Sequence, residues 1–447
     1  MDYNTTYTGM PVSSADGLTL DMFNHDHNHH DHPPYVPLHH HDFIPECIDP
    51  GSVLTDKKFE RFDILMQRAN DWLRARPYLK VVTCESIEVK KRSGDHGEID
   101  TEKVTYYEYG EYRNKFIRAL RLWCSSRYEQ DPKGPSQISH FNIIPACIDP
   151  GGVFSNPKYE SFNITLDKVN EELRRRPLPG RIINLETQDM KFHTSSDSVD
   201  PDETYWTEAG KTGTYFLNII RIFYEVSTPA MEEIGCADFV PEMVQQGGII
   251  TTAKFEPFAS VVAQARCWIA QQHNIKIVSI QSIDYKLKSS WSGDGLDTHR
   301  TMFYERGEGF TYYLRILRVT YTRSHSQESE ALLLNYKTFI PVQLTRDAAF
   351  TTPKFESISE TVTRANAWLS LTGVPVVSSE TVPIRLYSGN QHGDSEQTYT
   401  WNHGDRNETW LHVIRVYLNG DYEEPSQEAL PAVPPLDEDE CDCCTIS

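Results

Sequence analysis

The sequence predicts an α+β protein built from four tandem repeats of a strand-helix-strand-strand-strand unit of about 95 residues, with disordered N- and C-terminal tails. Three landmarks recur in the same order: an extended segment ending in proline, a Lys-aromatic-Glu tripeptide, and an arginine on an apolar run. The tripeptide occurs at 58–60, 158–160, 254–256 and 354–356. We therefore expect repeats 1 to 4 at 43–130, 141–228, 237–324 and 335–420.

The tripeptide is predicted to lead into an amphipathic helix. In repeat 1 an apolar stripe at steps of three or four residues runs from Phe59 to Leu73, and in repeat 4 the same stripe runs from Phe355 to Leu369. A β-branched segment follows, such as 81–89, and predicts a strand, after which two further strands are expected. Because each unit is large enough to close its own core, we expect separate beads with some packing between neighbours.

Two polar residues return in every copy, the glutamate of the tripeptide and the arginine of the apolar run. Because a buried arginine requires a carboxylate partner, we interpret this set as structural ion pairs. Glu85, Glu186 and Glu380 are further candidate partners. No nucleophile recurs beside a histidine, so the sequence identifies no catalytic residue. The predicted ion-pair residues are Glu60, Arg121, Glu160, Arg221, Glu256, Arg318, Glu356 and Arg415.

A histidine-rich arm precedes the repeats, at 1–42. Imidazole and carboxylate groups alternate there and suit Zn, Ni or Cu, but nothing rigid would hold them in a coordination geometry. We expect a disordered arm, no resident cofactor, and at most loose capture of Zn. The candidate metal ligands are His25, His27, His29, His30 and His32.

Charge and cysteine content restrict the function classes. The formal net charge is -21, and 15 of these negative charges come from the tails at 1–42 and 421–447. This balance disfavours a nucleic-acid-binding protein. Nine cysteines, an odd number, indicate a reducing compartment, and the sequence has neither a secretory signal nor an apolar run of membrane-spanning length.

The acidic tail at 421–447 ends in Cys444-Thr445-Ile446-Ser447, a C-a-a-X box. This terminus resembles that of Ras-family and other farnesylated proteins. The resemblance implies a farnesyl group on Cys444, removal of the last three residues, methylation of the new terminus, and candidate palmitoyl acceptors at Cys441 and Cys443. Because acidic residues surround these cysteines and one short lipid binds membranes only marginally, stable anchoring would require acylation as well.

Together these features predict a eukaryotic, farnesylated and palmitoylated tandem-repeat protein that acts as a binding or scaffold module. It would lie at the cytoplasmic face of a membrane, with a cytosolic pool, and would bind the membrane through its lipid and protein partners through its repeats. Two alternatives stay open. One is an enzyme with a pocket in a diverged repeat or at a seam between repeats, and the other is a metal-handling protein that uses the histidine-rich arm. The oligomeric state is left open.

Overall fold

The computed structural model covers most of the four units. It describes residues 5–7, 36–51, 57–92, 99–108, 114–128, 131, 134–152, 155–192, 199–208, 214–247, 253–287, 296–305, 310–323, 332–345, 353–386, 393–403 and 408–436.

Each unit contains the same elements in the same order: an outer strand, a short hairpin, a helix, an inner strand, an exchanged strand and a central strand. The outer strands are Leu38–Phe43, Ile138–Ile143, Glu233–Phe239 and Leu334–Phe339. Helices α1 to α4 are Phe62–Arg74, Phe162–Arg175, Phe258–Ala270 and Ile358–Thr372. The inner strands are Leu79–Arg92, Leu178–Phe192, Ile275–Lys286 and Val376–Leu386. The exchanged strands are Thr105–Glu108, Tyr205–Glu208, Met302–Glu305 and Tyr399–His403. The central strands are Asn114–Ser126, Thr214–Ala230, Phe310–Arg323 and Glu408–Asn419.

The hairpins in front of the helices are very short. Their paired strands are Cys47–Asp49 with Lys58–Phe59, Cys147–Asp149 with Lys158–Tyr159, and Met243–Gln245 with Lys254–Phe255. In unit 4 a single bridge between Gln343 and Phe355 takes their place.

The predicted helical stripe is confirmed from Phe62 and Ile358 onward, whereas its first residues, Phe59 and Phe355, lie before the helix. The buried face of α1 consists of Phe62, Leu65, Met66, Ala69 and Leu73. Helix α4 begins with a capping box between Ser357 and Glu360 and ends at Gly373, whose φ of 66° is the left-handed conformation that favours glycine.

The sheets are assembled by exchange between neighbouring units. Each central strand pairs on one side with its own inner strand and on the other side with its own outer strand and the exchanged strand of the next unit. The last exchange closes a circle, because Thr105–Glu108 of unit 1 pairs with Glu408–Leu411 of unit 4. We call the junctions between neighbouring units seams, and the junction of unit 4 with unit 1 the closing seam.

The four sheets form a ring that resembles a four-bladed propeller. Hydrogen bonds join consecutive inner strands, as between Cys84 and Asn184, and also join the fourth inner strand to the first through Ser379 and Thr83. The hydrophobic core of each unit includes residues of the next unit in the ring. The core around α1 includes Ile138 of unit 2, and the core around α4 includes Leu38 of unit 1.

The fourfold repeat is therefore confirmed, whereas the α+β description is only partly correct. One helix per unit was expected and is present, but most of each unit is strand. The expectation of beads that close their own cores is wrong. Within one unit, the outer strand pairs only with the C-terminal part of the central strand. The main-chain groups of its N-terminal part would stay unpaired, and the exchanged strand of the neighbouring unit supplies their hydrogen bonds.

The two predicted tails contain ordered segments. The outer strand of unit 1 begins at Leu38, inside the predicted arm, and Thr5–Tyr7 pairs in parallel with Ala237–Phe239. At the other end, the segment 421–430, which we call the strap, lies against units 3 and 4. The 3-10 helix Gln427–Ala429 belongs to it, and Leu430 packs on the unit 4 core.

Candidate functional site

The recurring arginines occupy one equivalent rung of the four blades. In each blade the central-strand arginine lies between an inner-strand Glu or Gln and a polar residue of the outer strand. All four arginines are at most 1% exposed. The rungs are Glu85-Arg121-Asp42, Glu186-Arg221-Asn142, Gln281-Arg318-Asp238 and Glu380-Arg415-Thr338.

The outer-strand residue that accepts hydrogen bonds from the arginine differs between the rungs. Arg121 donates to both carboxylate oxygens of Asp42 at 2.7 and 2.6 Å, and Arg318 does the same to Asp238 at 2.7 and 2.7 Å. Arg221 instead donates to the amide oxygen of Asn142 at 2.8 Å. Burial lowers the pKa of Arg221 to about 10, because Glu186 offsets only part of the cost of desolvation.

Each arginine also crosses a seam to a hydroxyl group on the preceding unit. Arg121 reaches back from unit 1 to unit 4 across the closing seam. The acceptors are Thr381 at 2.9 Å for Arg121, Ser86 at 2.6 Å for Arg221, Thr187 at 2.9 Å for Arg318, and Ser282 at 2.7 Å for Arg415. The four arginines therefore hold the ring together at every seam.

The inner-strand Glu or Gln completes each seam by accepting the main-chain N–H of the same hydroxyl residue. The donors are Thr381 to Glu85 at 2.6 Å, Ser86 to Glu186 at 2.9 Å, Thr187 to Gln281 at 2.9 Å, and Ser282 to Glu380 at 2.9 Å. Burial raises the pKa of Glu85 to about 7, against the opposing effect of Arg121.

The tripeptide glutamates lie elsewhere and do not meet the strand arginines. Each glutamate stands just before a helix and forms a hydrogen bond with the residue eight positions later, which lies on that helix. These partners are Arg68 for Glu60, Lys168 for Glu160, Gln264 for Glu256 and Arg364 for Glu356. In units 1 to 3 the same carboxylates also accept a main-chain N–H of the hairpin, from Glu46, Ala146 and Glu242. The glutamates therefore tie hairpin to helix.

A helix asparagine was missed by the sequence reasoning. Asn70, Asn170 and Asn366 each bond both the N–H and the carbonyl of one residue at the start of the next outer strand, which is the first residue for Asn70 and Asn366 and the second for Asn170. Asn366 does so to Leu38 at 2.9 and 2.8 Å, across the closing seam. The signal was present, since an asparagine stands ten residues after the tripeptide glutamate in three units and Arg266 stands there in unit 3. The seam hydroxyls were also signalled, by an ES, ET or QS pair in every inner strand.

The closing seam differs chemically from the other three. A phenylalanine at the start of α1, α2 and α3 lies 3.6–3.9 Å from the guanidinium of the next unit's arginine, whereas α4 begins with Ile358. The threonines at 204, 301 and 398 each donate their hydroxyl across their seam, whereas the equivalent residue here is Val104. The position three residues before the rung arginine varies around the ring and is His412 here, against Arg118, Asn218 and Arg315 in units 1 to 3.

A cavity of about 370 Å³ opens at this seam. Its lining includes Glu85, Glu88, Lys90 and Tyr106 of unit 1 and Pro383 and His412 of unit 4. Burial lowers the pKa of His412 to about 3, with smaller contributions from Arg121 and Lys90, so its imidazole is neutral at physiological pH. The imidazole packs against Tyr106 with ring centroids 4.9 Å apart.

The remaining predicted site residues lie outside the described part of the chain. These are the histidines at 25, 27, 29, 30 and 32 and the cysteines at 441, 443 and 444. Among the described residues, no group of three or more His, Cys, Asp or Glu side chains has a metal-binding arrangement. No helix in the described ranges has the length and apolar character needed to cross a bilayer.

Cys47 and Cys147 stand at matching positions in units 1 and 2, and both are exposed. The short hairpin turns their side chains to solvent because it packs on the ring through Phe59 and Tyr159 rather than through its first strand.

Comparison with known proteins adds no relationship: no family model, no curated protein and no solved structure matches this chain.

Proposed function

We propose that this protein is a binding and scaffold module whose closed ring is held at the cytoplasmic face of a membrane by a C-terminal lipid. One observation carries the scaffold part. The charged residues that recur in all four units are engaged in bonds that hold the ring together, at the seams or between hairpin and helix. Fourfold repetition here serves a rigid frame, which is what a scaffold requires.

The strap supports the membrane part of the proposal. It packs on units 3 and 4 as far as Leu430, and 13 residues lie between Leu430 and Cys444. An extended chain of that length spans roughly 50 Å at most. A farnesyl group on Cys444, with palmitoyl groups on Cys441 or Cys443, would therefore hold the ring within one protein diameter of the bilayer and would orient it by the strap. Protein partners would then meet the outer surfaces of the blades.

Membrane fractionation and intact-mass spectrometry of protein from a eukaryotic host test the anchor. We expect a mass corresponding to loss of three residues and gain of one farnesyl and one methyl group, which also requires Ser447 to be the natural C-terminus. Cys444→Ser should move the protein to the soluble fraction. The matched control is Cys267→Ser, which changes an exposed cysteine of α3 and should leave fractionation unchanged. Equal fractionation of Cys444→Ser and wild type would refute the anchor.

Cross-linking mass spectrometry in the same cells tests the scaffold. We expect cross-links from lysines of the ring to the same partner proteins in repeated experiments, and their loss in the Cys444→Ser variant. If wild type gives cross-links only within its own chain, the scaffold proposal is wrong.

A further inference from the structure

The cavity at the closing seam lies where two of the other three seams hold a guanidinium group, and the equivalent residue of unit 2 is Asn218. His412 is three residues before the rung arginine of unit 4, and the equivalent residues of units 1 and 3 are Arg118 and Arg315. Both arginines are at most 5% exposed. Each donates to a main-chain oxygen on the inner strand of the next unit, Arg118 to Asp189 at 2.8 Å and Arg315 to Pro383 at 2.7 Å.

The surroundings of that position are repeated at the closing seam. The residue equivalent to Asp189 and Pro383 is Glu88, which lines the cavity together with His412. The guanidinium of Arg118 lies 4.4 Å from the ring centroid of Trp206 on the exchanged strand. Tyr106 occupies the place of Trp206 and also lines the cavity. The Tyr106 ring contacts the imidazole of His412, with ring centroids 4.9 Å apart, and the ammonium of Lys90 at 5.0 Å. Because an imidazole is shorter than an arginine side chain, the cavity opens beside these groups.

The lining offers charged groups for both ends of a zwitterionic ligand. Arg121 reaches the cavity but is held by both carboxylate oxygens of Asp42. Lys90 pairs with Glu88 at 3.9 Å, and Lys103 and Asp100 also line the cavity. The carboxyl groups of Glu88 and Asp100 could accept hydrogen bonds from a guanidinium group, and a carboxylate at the opposite end of the ligand could pair with Lys103.

From this internal comparison we propose that the closing seam is a binding site for a small guanidinium compound, whose planar cation takes the place that Arg118 and Arg315 take in their seams. The volume of about 370 Å³ lies at the lower end of the range for small-molecule sites, about 300–1,000 Å³, and so admits a molecule of amino-acid size. The bound cation would bridge units 4 and 1 and strengthen the one seam that depends wholly on non-covalent contacts. This site is independent of the lipid anchor.

Isothermal titration calorimetry on the full chain tests the proposal, with L-arginine and agmatine as probes. L-citrulline is the matched control ligand, because it replaces the guanidinium with a neutral group of the same shape. We expect saturable one-to-one binding of L-arginine and at least tenfold weaker binding of L-citrulline. Equal affinity for the two, no binding of either cationic probe, or binding of inorganic phosphate in their place would overturn the proposal.

Variants locate the site. His412→Arg should fill the cavity with the protein's own guanidinium, raise the melting temperature and weaken L-arginine binding at least tenfold. Glu88→Gln should weaken binding about tenfold without filling the cavity, and it keeps the proposal testable if His412→Arg fails to fold. The control is Glu46→Gln, an exposed carboxyl in the hairpin of unit 1, which should bind like wild type. Unchanged binding in both His412→Arg and Glu88→Gln would contradict the assignment.

Discussion

The guanidinium of Arg121 donates to the hydroxyl of Thr381 at 2.9 Å, although the two residues are 260 positions apart in the chain. The same hydroxyl donates to Glu85 at 3.0 Å. This pair joins the first unit to the last, where no covalent connection exists, and it makes the molecule a closed ring rather than a row of units.

Removal of this hydroxyl should weaken the closing seam selectively. We expect Thr381→Val to lower the free energy of unfolding by about 1–3 kcal/mol, because it leaves a buried guanidinium and a buried carboxyl each short of one hydrogen bond. Hydrogen exchange should accelerate in Thr105–Glu108 and its partner strand. Thr187→Val, the equivalent change at another seam, should cost a similar amount without this local acceleration. Equal exchange of Thr105–Glu108 in the two variants would contradict the prediction.

The pair of Arg318 and Asp238 should show strong energetic coupling. Both side chains are buried, and the carboxylate accepts two hydrogen bonds from the guanidinium. We expect Arg318→Met to cost about 3–5 kcal/mol, because it leaves an uncompensated buried carboxylate. Adding Asp238→Leu should restore part of that loss. Chemical denaturation of the two single variants and the double variant measures the coupling, and simple additivity would show the prediction to be wrong.

Stability should depend on the protonation of Glu85. Its folded pKa of about 7 is above the ordinary value of 4.5, so its contribution to stability is full below about pH 4.5 and is lost as pH rises through about 7. Gln281 already fills the equivalent position in unit 3. We therefore expect Glu85→Gln to be more stable than wild type by about 1–3 kcal/mol at pH 8 and nearly equal to it at pH 4.5.

Melting temperatures measured between pH 4.5 and 8 check this prediction. Asp189, whose pKa burial also raises to about 7, should leave a residual slope in the variant. Glu46→Gln, at an exposed position, is the control. A constant difference between Glu85→Gln and wild type over the whole range would be inconsistent with a titrating Glu85.

The strap should contribute to stability through an aromatic contact. Tyr422 packs edge-on against Trp368 with ring centroids 4.7 Å apart and donates its hydroxyl to the carbonyl of Tyr336 at 2.9 Å. We expect Tyr422→Ala to cost about 1–3 kcal/mol and to shift tryptophan emission to longer wavelength, as Trp368 meets water. Glu423→Ala, at the exposed neighbouring position, should change neither quantity. Identical spectra for wild type and Tyr422→Ala would argue against a packed strap.

Part of the site could be predicted from single residues. The burial of the rung arginines followed from an arginine in an apolar run, and the need for a carboxylate followed from burial. The partner followed only in part, because Glu380 pairs with Arg415 at 3.7 Å as expected, whereas the two outer-strand aspartates were not anticipated. Asp42 and Asp238 supply the bidentate carboxylates, whereas Glu60 pairs with Arg68 on the helix surface. A glutamate just before the helix reaches a polar residue eight positions later on that helix, so the recurrence of Glu and Arg in every unit did not imply contact between them.

The sequence by itself determined the number of repeats, the helix with its buried face, and the inner strand of each unit. The number of repeats follows from the recurrence of the tripeptide at spacings of 96 to 100 residues. The helix and the strand follow from periodicity within about 15 residues. Only the tertiary structure decided which sheet each exchanged strand joins, and hence that the repeats close into a ring. Main-chain hydrogen bonds between strands do not depend on how far apart the strands are in the chain. The sequence of an exchanged strand therefore does not show which of the four central strands it pairs with. For the same reason His412 was an ordinary residue in the sequence and acquired its meaning only beside Glu88 and Tyr106.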